Sequence, residues 1–575
     1  MRIRELLRNE ILTALKSLKL QYNDKFTVEL TKNPEHGDFA TNVALISAKM
    51  NNMNPMEMAK KLLTKLKRNK YINKVSMANP GFINFLLYKT AYLNVLEIIN
   101  ANPLTYGKSS FGRNKKVLLE FVSANPTGPL NVVSARAAAY GDSLYRIMSY
   151  AGYKVTREFY INDAGNQVEI LAESIELRFR ELLGERIGEM PLEAYQGEYI
   201  IGLAAILNTQ EGSRILHLSE IDRIQKIKKF ALQEIHDAQQ RSLEKFDVFF
   251  DSWISEKAIR TQGIIEEVLS YLYEAGCTYE KDEAIWFYSS HYGDEKDRVL
   301  LKTDGQPTYI VPDLAYHLTK YQRGFDIMID VLGPDHHGYI PRLIAALRAL
   351  EYDEKKLEFI FLQQVNLLNE GEKIKMSKRT GKIITMDELI DDVGKDAVRF
   401  FFIDRKSSSH LNFDMELAKK QSADNPVFYC QYAHARICSV LDKARKFDYV
   451  IDEFDVQKLK KLARPDELYL IKFLDLFPEI VLAATEFREP HRIVDYVKEL
   501  ASMFHKYYHD CILINKTAKD MSLARLYLVN CIKIVIAKSL DLIGVSAPTK
   551  MVKKVVEPEV PVVVVTEETE EEEDE

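Results

Sequence analysis

The 575-residue sequence has few cysteines and no long apolar run. Its five cysteines are scattered, without a Cys-x-x-Cys pair, which favours reduced thiols over a disulfide framework or a zinc site. No apolar stretch reaches the roughly 18 residues that a membrane-spanning helix needs. Charged residues also interrupt the N-terminal apolar positions, so no secretory signal core is predicted. These absences together predict a cytoplasmic protein with no membrane partner.

Two common nucleotide-binding motifs are also absent. No Gly-x-Gly-x-x-Gly follows a strand-like run and no Gly-x4-Gly-Lys-Ser/Thr occurs, which excludes the dinucleotide fingerprint and the P-loop. The adjacent histidines His336 and His337 have no evident third ligand, so no metal site is predicted. Any nucleotide must therefore be held in another way.

Charge is distributed unevenly along the chain, whose formal net charge is −6. Residues 551–575 contain ten acidic residues and two lysines, a local charge of −8. The first 100 residues contain 16 basic and 8 acidic residues, a local charge of +8. The basic run from Lys60 to Lys74 can neutralise nucleic-acid phosphates, although a solvated helix face explains it equally well. This distribution is compatible with an RNA partner, which the total charge alone disfavours.

Changes in hydrophobic pattern predict four parts of the chain. Residues 1–105 mix helical and strand-like spacing, which predicts an α+β domain. Residues 113–404 begin with a strand, loop, helix and strand, a βαβ unit that predicts an α/β domain with a doubly wound, Rossmann-like parallel sheet and a helical insertion at about 165–280. Residues 405–551 are helical in period, and the acidic tail, 552–575, is predicted to be disordered.

The most informative segment is a basic loop after the strand-like run 359–365. It contains the cations Lys375, Lys378 and Arg379 together with the hydroxyls of Ser377 and Thr380. Such a loop suits an anion that gains charge during a reaction, for example pyrophosphate leaving ATP. On these residues alone, a solvated basic loop is an equally good interpretation.

This loop, Lys375-Met376-Ser377-Lys378-Arg379, resembles the KMSKS motif of class I aminoacyl-tRNA synthetases. Further segments in the same order are similar to arginyl-tRNA synthetases in particular: HGDFATN at 36–42, EFVSANPTGPL at 120–130, YINDAGNQ at 160–167, 307–317, GPDHHG at 333–338, 379–400, QYAHAR at 431–436 and GVSAP at 544–548. The resemblance extends from about residue 2 to Met551 and leaves out the acidic tail.

The resemblance implies an arginine–tRNA ligase with ATP as substrate and Mg²⁺ as its counter-ion. Arginine would first be activated to arginyl-adenylate and then transferred to the 2′-hydroxyl of the terminal adenosine of tRNA(Arg). The resemblance also implies that residues 1–105 contact the tRNA elbow and that the helical residues 405–551 bind the anticodon. A cytoplasmic monomer is expected.

The resemblance carries over to individual residues in four groups. Those implied in catalysis are Lys375, Ser377 and Lys378, and those implied at ATP are Pro126, Gly128, Asn131, Ser134 and Met376. Those implied at arginine are Glu120, Asn125, Tyr309, Asp313 and His336. A guanidinium is a planar fork of five donors that carboxylates match best, which suits Glu120 and Asp313. Taken alone, Asp313 could equally be a helix N-cap after Pro312.

The fourth group, Phe82 and Asn84, is expected to contact tRNA. The two residues are two positions apart on a predicted strand and therefore share one face. An aromatic ring that stacks and an amide that reads a base edge suit an unpaired loop base. A core position for Phe82 is the alternative.

One motif departs from the family pattern. The His-x-Gly-His motif of class I synthetases falls on Asn131-Val132-Val133-Ser134. The helix N-terminus still favours anions, and Asn131 and Ser134 can donate hydrogen bonds, but neither carries the charge of an imidazolium. Val133 adds a side chain where the family lets adenine approach the backbone. An active enzyme that depends more on Lys375 and Lys378 is favoured over an impaired enzyme or an inactive tRNA- or arginine-binding protein.

Overall fold

A computed structural model describes residues 3–31, 34–369, 371–374, 384–451 and 455–551. The predicted basic loop from Lys375 to Arg379 and the acidic tail, 552–575, lie outside the described residues. Among those that are described, no helix is long and apolar enough to cross a membrane.

The N-terminal part is an α+β unit, as the sequence predicts. Its four strands form one antiparallel sheet in the order β1-β2-β4-β3. The apolar side chains of Leu7, Ile11 and Leu15 are completely buried, because their helical spacing places them on one face. The elements are α1 (Ile3–Ser17), β1 (Val28–Leu30), β2 (Phe39–Thr41), α2 (Val43–Ser47), α3 (Pro55–Leu63), β3 (Ile72–Ala78), β4 (Phe82–Leu87) and α4 (Lys89–Ala101).

The central part is built on a five-stranded parallel sheet in the order β12-β11-β5-β6-β7. Its elements up to the second sheet are β5 (Lys116–Glu120), α5 (Val132–Tyr150), β6 (Lys154–Ile161), α6 (Asn166–Leu182), α7 (Glu198–Glu211), α8 (Glu220–Lys245), β7 (Ser252–Ser255), α9 (Glu256–Thr261), α10 (Ile264–Glu274), β8 (Thr278–Lys281), β9 (Ala284–Phe287) and β10 (Arg298–Leu301). The following elements are α11 (Ile310–Gln322), β11 (Ile327–Leu332), α12 (Ile340–Ala349), β12 (Leu357–Phe361), β13 (Val365–Asn369), β14 (Glu372–Lys373), α13 (Met386–Val393), α14 (Lys395–Ile403), β15 (Leu411–Asp414) and α15 (Met415–Lys419).

The central strand β5 determines where a ligand can bind in this sheet. Its residues Val117, Leu118 and Leu119 are completely buried, as a strand covered on both faces requires. The chain runs from β5 to β6 and β7 on one side and returns to β11 and β12 on the other. This reversal is a topological switch point, and ligands of doubly wound sheets bind beyond the strand ends there. The predicted doubly wound parallel sheet is thereby confirmed.

Four strands differ from the sequence-based interpretation. The range 165–280, predicted as a helical insertion, is helical in α6 to α8 but also contains β7, which is the edge strand of the parallel sheet. The strands β8, β9 and β10 do not join that sheet and form a separate antiparallel one. The turn at Asp282 and Glu283, where both residues have positive φ, has the geometry of a two-residue hairpin and makes β8 and β9 antiparallel neighbours.

The C-terminal part is helical in the described residues after β15 and α15. The strand β15 pairs in parallel with β13, so the strand content extends a few residues past position 404. Helix α4 of the N-terminal part packs against these helices, and Asn530 Nδ2 donates to Asn100 Oδ1 over 2.8 Å. The helices are α16 (Pro426–Arg445), α17 (Pro465–Glu486), α18 (His491–Asp510) and α19 (Lys519–Leu542).

A completely buried arginine, Arg399 on α14, joins the sheet domain to the C-terminal helices. Its Nε donates to the carbonyl oxygen of Ile543 over 3.1 Å and its Nη1 to that of Phe246 over 3.0 Å. Its Nη2 is hydrogen-bonded to the buried carboxylate of Asp142. Gly544 lies directly against this guanidinium with a φ of +67°. Position 544 therefore requires glycine, because the backbone has a positive φ and a Cβ atom would clash with Arg399.

Candidate active site

Three buried carboxylates lie side by side across the three middle strands of the parallel sheet. Glu120, the last residue of β5, is the register partner of Glu158 on β6 and of Asp330 on β11. All three residues are almost completely buried. A row of carboxylates at the switch point is costly without partners, because each buried charge loses its hydration.

Helix α11 supplies the partners of this carboxylate row. Lys320 Nζ donates to Glu120 Oε2 over 2.6 Å and to Asp330 Oδ1 over 2.7 Å. The hydroxyl of Tyr316 lies 2.8 Å from carboxylate oxygens of both Glu120 and Glu158. Tyr316 and Lys320 lie four positions apart and therefore share one face of the helix.

Two further residues complete the cluster. The guanidinium of Arg323 makes two hydrogen bonds to Glu158, one of them 2.8 Å long. His317 Nε2 lies 2.9 Å from Asp330 Oδ2, and its Nδ1 lies 2.8 Å from the carbonyl oxygen of Asp313 and 3.5 Å from that residue's carboxylate. Carboxylates and cations therefore alternate through the cluster.

The electrostatics of the cluster favour its charged form. Burial lowers the pKa of Lys320, but the carboxylates of Asp330 and Glu120 outweigh burial and raise that pKa above its ordinary value. Burial raises the pKa of Asp330, but Lys320 and His317 outweigh it and lower that pKa to about 2. Burial and Lys320 lower the pKa of His317, and Asp313 and Asp330 raise it to a value above the ordinary one. Ion pairing therefore compensates for the lost hydration.

The structure changes the interpretation of Asp313. Helix α11 begins at Ile310, with Tyr309 as its N-cap residue, so Asp313 lies inside the first turn and is not the N-cap. Its side chain is 32% exposed. The pKa of the Tyr339 hydroxyl is raised, mainly by burial and next by the negative charge of Asp313. Asp313 is therefore a carboxylate at the rim of the buried cluster.

The other residues predicted at arginine lie outside the strands of the parallel sheet. Asn125 follows β5, and its Nδ2 donates to Gln167 Oε1 over 2.8 Å. Tyr309 is 89% exposed. His336 lies in the 3-10 turn Pro334–His336 directly after β11 and is exposed. Among the described residues, no group of three or more His, Cys, Asp or Glu side chains could hold a metal ion.

The loop that contains Pro126 and Gly128 is held by the helices of the insertion. Gln239 Nε2 on α8 donates to the carbonyl oxygens of Asn125 and Gly128 over 3.1 and 2.8 Å. The hydroxyl of Tyr199 on α7 donates to the carbonyl oxygen of Thr127 over 2.8 Å. The insertion thus positions the loop between β5 and α5.

Asn131 caps helix α5, which the sequence did not reveal. Its Oδ1 accepts hydrogen bonds from the backbone N–H groups of Val133 and Ser134 over 2.9 and 3.2 Å. Two of the N–H groups available to an anion are therefore occupied, although the positive end of the helix dipole remains. The side chain of Val133 is 52% exposed at the same helix end.

The beginning of α5 also lies beside the chain that follows the basic loop. Asn131 forms an antiparallel bridge with Thr385, and the N–H of Met386 donates to the carbonyl oxygen of Leu130 over 2.8 Å. The implied catalytic residues Lys375, Ser377 and Lys378, and the implied ATP ligand Met376, lie outside the described residues.

The two residues predicted to contact tRNA lie on β4. Phe82 is 37% exposed and lies on the sheet face opposite the core residues Ile83 and Phe85, so the core alternative is wrong. Asn84 shares that outer face but is only 5% exposed, between its register partners Ala40 and Ser76. Phe82 is therefore the more accessible of the two side chains.

Most residues of the buried cluster carry no motif in the sequence. Lys320, Arg323, Glu158 and Asp330 were not proposed as site residues. One signal was available, because Asp330 interrupts the apolar run Ile327–Leu332 and an acid inside a buried strand requires a partner. That partner lies on another element, and its identity cannot be deduced from local spacing.

Three family models match the chain. They are the arginyl tRNA synthetase N terminal domain at residues 5–87, the class I (R) tRNA synthetase catalytic domain at 96–449, and the DALR anticodon binding domain at 430–551. The catalytic model alone matches more than half of the chain. The fold and the matched catalytic domain together define a class I aminoacyl-tRNA synthetase.

Similar proteins narrow the class further. The chain is 44% identical to the arginine–tRNA ligase of Syntrophotalea carbinolica, over 92% of this chain and 95% of that protein. It is 43% identical to arginine–tRNA ligase 1 of Halalkalibacterium halodurans, over 96% of this chain and 99% of that protein. Thermus thermophilus arginyl-tRNA synthetase has the same fold, with a TM-score of 0.73 at 23% identity over 96% of this chain and 100% of that one.

The chain belongs to the arginyl-tRNA synthetase family. Its function is arginine–tRNA ligation, and the predicted family, fold class and enzyme activity are confirmed. The alternative of an inactive tRNA- or arginine-binding protein finds no support in these relatives.

Proposed function

We propose that the crevice beyond the ends of β5 and β11 is the site of arginine activation and transfer. The carboxylate of arginine attacks the α-phosphate of ATP, so that arginyl-adenylate forms and pyrophosphate leaves. The terminal 2′-hydroxyl of tRNA(Arg) then attacks the carbonyl carbon, and AMP leaves. Binding and orientation supply most of the rate enhancement, because the substrates react directly with each other. The observation that carries the proposal is the position of Glu120 and Asp313 at the switch point.

Within this crevice, Glu120 and Asp313 would bind the guanidinium. Two carboxylates match its fork of donors in shape and charge. Tyr309, the N-cap residue of α11, would also contact the guanidinium. Asn125 and His336, which follow β5 and β11, would lie nearer the α-amino end of the arginine.

ATP would lie between the start of α5 and the basic loop. Pro126, Gly128 and Met376 would line its binding site, and Asn131 and Ser134 would face its phosphates. Lys375, Ser377 and Lys378 would stabilise the pyrophosphate as its charge develops. Mg²⁺ would enter as the counter-ion of ATP, because Mg²⁺ is commonly bound through substrate phosphates together with one or two carboxylates.

Charging of tRNA tests the function directly. Purified protein, arginine, ATP and tRNA(Arg) are expected to give arginylated tRNA, with a requirement for tRNA already in the activation step. Retention of arginine and tRNA without any charged product would contradict the proposal.

Replacement of Lys378 by Ala is expected to lower kcat on the order of 10²-fold, because one cation at the developing pyrophosphate is lost while His-x-Gly-His imidazoles are absent. Steady-state charging kinetics measure this. The exposed Lys373 on β14, just before the basic loop, gives the matched control, and Lys373→Ala should leave kcat within about threefold of the unmodified enzyme. An unchanged kcat for Lys378→Ala would refute the proposed compensation.

Replacement of the cap residue Asn131 by Asp distinguishes a structural role of this side chain from a role in ATP binding. Asn131→Asp retains the cap, because the two side chains cap helices equally well, but it places a negative charge near the ATP phosphates. The KM for ATP should rise about 10-fold or more, through like-charge repulsion, with little change in melting temperature. Asn54, which caps α3 in the same way, is the control, and Asn54→Asp should leave the KM for ATP unchanged. Equal kinetics for both variants would argue against phosphates near Asn131.

The remaining assignments concern tRNA and organisation. Residues 1–105 would contact the tRNA elbow, with exposed Phe82 stacking on a loop base and Asn84 reading its edge. Residues 113–404 would form the catalytic domain and residues 405–551 would bind the anticodon. We expect a cytoplasmic monomer with no membrane partner.

A further inference from the structure

The two carboxylates proposed for the guanidinium are the ends of one continuous buried chain of charged groups. From Glu120 the chain passes to Lys320 over 2.6 Å, and from Lys320 to Asp330 over 2.7 Å. It continues from Asp330 to His317 over 2.9 Å, and His317 Nδ1 lies 3.5 Å from the carboxylate of Asp313 and 2.8 Å from the backbone carbonyl oxygen of the same residue. Three elements, β5, β11 and α11, contribute to it.

The middle of this series of charged groups is buried, whereas one of its ends is partly exposed to solvent. Lys320 is completely buried and Asp330 is 2% exposed, whereas the Asp313 side chain reaches the rim. Each carboxylate oxygen of Asp330 has a different partner, because Oδ1 accepts a hydrogen bond from Lys320 and Oδ2 contacts His317. Glu158 belongs to a separate pair with Arg323 and contacts the chain through Tyr316.

A purely stabilising role does not explain such a chain well. Buried ion pairs contribute little net stability compared with packed apolar side chains, so their retention points to specificity. Hydrogen bonds between charged groups are stronger in a low-dielectric interior, and neighbouring bonds strengthen one another. Displacing one group is therefore costly, which restricts the geometry of the others. A chain of this kind therefore fixes the positions of the groups at its ends.

We infer that Lys320, Asp330 and His317 are positioning residues for arginine recognition, which hold the carboxylates of Glu120 and Asp313 at the spacing that a guanidinium requires. The inference rests on the proposed function, because it assigns the guanidinium to these two carboxylates. It extends the site to a layer of the protein that the substrate does not touch.

The role of Asp330 is to keep both cations of the chain occupied. Without its charge, the nearest carboxylate for Lys320 is Glu120, and the nearest for His317 is Asp313. Lys320 and His317 would then hold Glu120 and Asp313 more strongly, and the two carboxylates would be less available to the guanidinium. The effect would fall on the charged substrate, and a neutral analogue of the same shape would be spared.

Asp330→Asn tests the inference, because it preserves shape and removes the charge. The KM for arginine is expected to rise about 30-fold, with kcat within about threefold, as for loss of one member of a buried charge pair. Competitive inhibition by citrulline, the neutral analogue, should be unchanged. Asp330→Glu, which retains the charge, should recover part of the arginine affinity.

His317→Gln provides a second variant that acts at one end of the chain only. A rise of roughly 3- to 10-fold in the KM for arginine is expected, since the contact with the Asp313 carboxylate is lost while Lys320 still holds Glu120. The double variant with Asp330→Asn should be no worse than Asp330→Asn alone, because both changes break the same chain.

Glu176→Gln is the matched control, since Glu176 is a buried carboxylate that pairs with two arginines, Arg180 and Arg223, in the insertion. Glu176→Gln should lower the melting temperature. It should leave the ratio of the KM for arginine to the inhibition constant of citrulline unchanged. An unchanged KM for arginine in His317→Gln and Asp330→Asn, or an equal loss for arginine and citrulline, would overturn the inference.

The proposed function can fail separately from this inference. Calorimetric titration with arginine measures binding without charging. If the unmodified protein binds arginine but charges no tRNA, the proposed function is wrong, and the variants still test the positioning chain through binding. If the protein charges tRNA and Asp330→Asn binds arginine normally, the inference alone is wrong.

Discussion

Replacement of Asp313 by Asn is expected to lower kcat/KM for arginine on the order of 10³-fold, because one charged partner of a desolvated guanidinium is lost. An amide of the same shape accepts at only one oxygen and presents an NH₂ donor that opposes the donors of the guanidinium. The loss should appear mainly in the KM for arginine. The KM for ATP should remain within about threefold of that of the unmodified enzyme, since ATP is not bound by this side chain.

The fold of the Asp313→Asn variant should be retained. Asp313 is not the cap of α11, and its side chain is partly exposed. Removal of the negative charge from the first turn of α11 should lower the free energy of unfolding by less than about 1 kcal/mol. Asp304, which accepts a backbone hydrogen bond in an exposed turn, provides the control, and Asp304→Asn should charge tRNA normally. An unaltered KM for arginine in Asp313→Asn would refute the guanidinium assignment.

Replacement of Gly544 by Ala is expected to lower the free energy of unfolding by about 4 kcal/mol, which combines backbone strain with a packing clash. At a φ of +67° any side chain is strained, and the new Cβ would overlap the guanidinium of Arg399. Arg399 cannot withdraw freely, because its three nitrogens are bonded to Ile543, Phe246 and Asp142. Chemical denaturation at constant temperature measures the loss.

Gly276 offers a matched control for this change. Its φ is +65°, almost the same as that of Gly544, but a Cβ there would meet nothing within 4 Å. Gly276→Ala should therefore cost only the backbone strain, about 1–2 kcal/mol. Equal losses for the two variants would show that the contact with Arg399 has no energetic importance.

Much of the fold could be predicted from local pattern. The unbroken apolar run of β5 predicts a strand covered on both faces, and the strand–loop–helix–strand order from β5 to β6 predicts parallel pairing. The strand β7 was not predicted, because four half-buried residues between helices carry no period of their own. The separate sheet of β8 to β10 was also missed, since short strands reveal their partners only through the turns that join them.

The candidate site divides in the same way. Glu120 and Asp313 were accessible through family motifs, whereas Lys320 and Asp330 were not. Glu120 is 200 positions away from Lys320, and it meets Lys320 and Asp330 only because β5 and β11 are neighbours in the sheet and α11 covers them. The cap formed by Asn131 also depends on local geometry that the motif alone did not reveal.

The sequence by itself determined the family, the class of fold and the chemistry, because these are carried by contiguous motifs and by the period of apolar residues. The absence of disulfide spacing and of common nucleotide motifs excluded other classes for the same reason. Only the tertiary structure decided how the carboxylates are neutralised and held, and which glycine the junction between the two domains requires. Those properties depend on contacts between different elements, some of them as distant in the chain as Asp142 and Arg399. The energy of a buried charge is set by whichever partner the fold brings beside it.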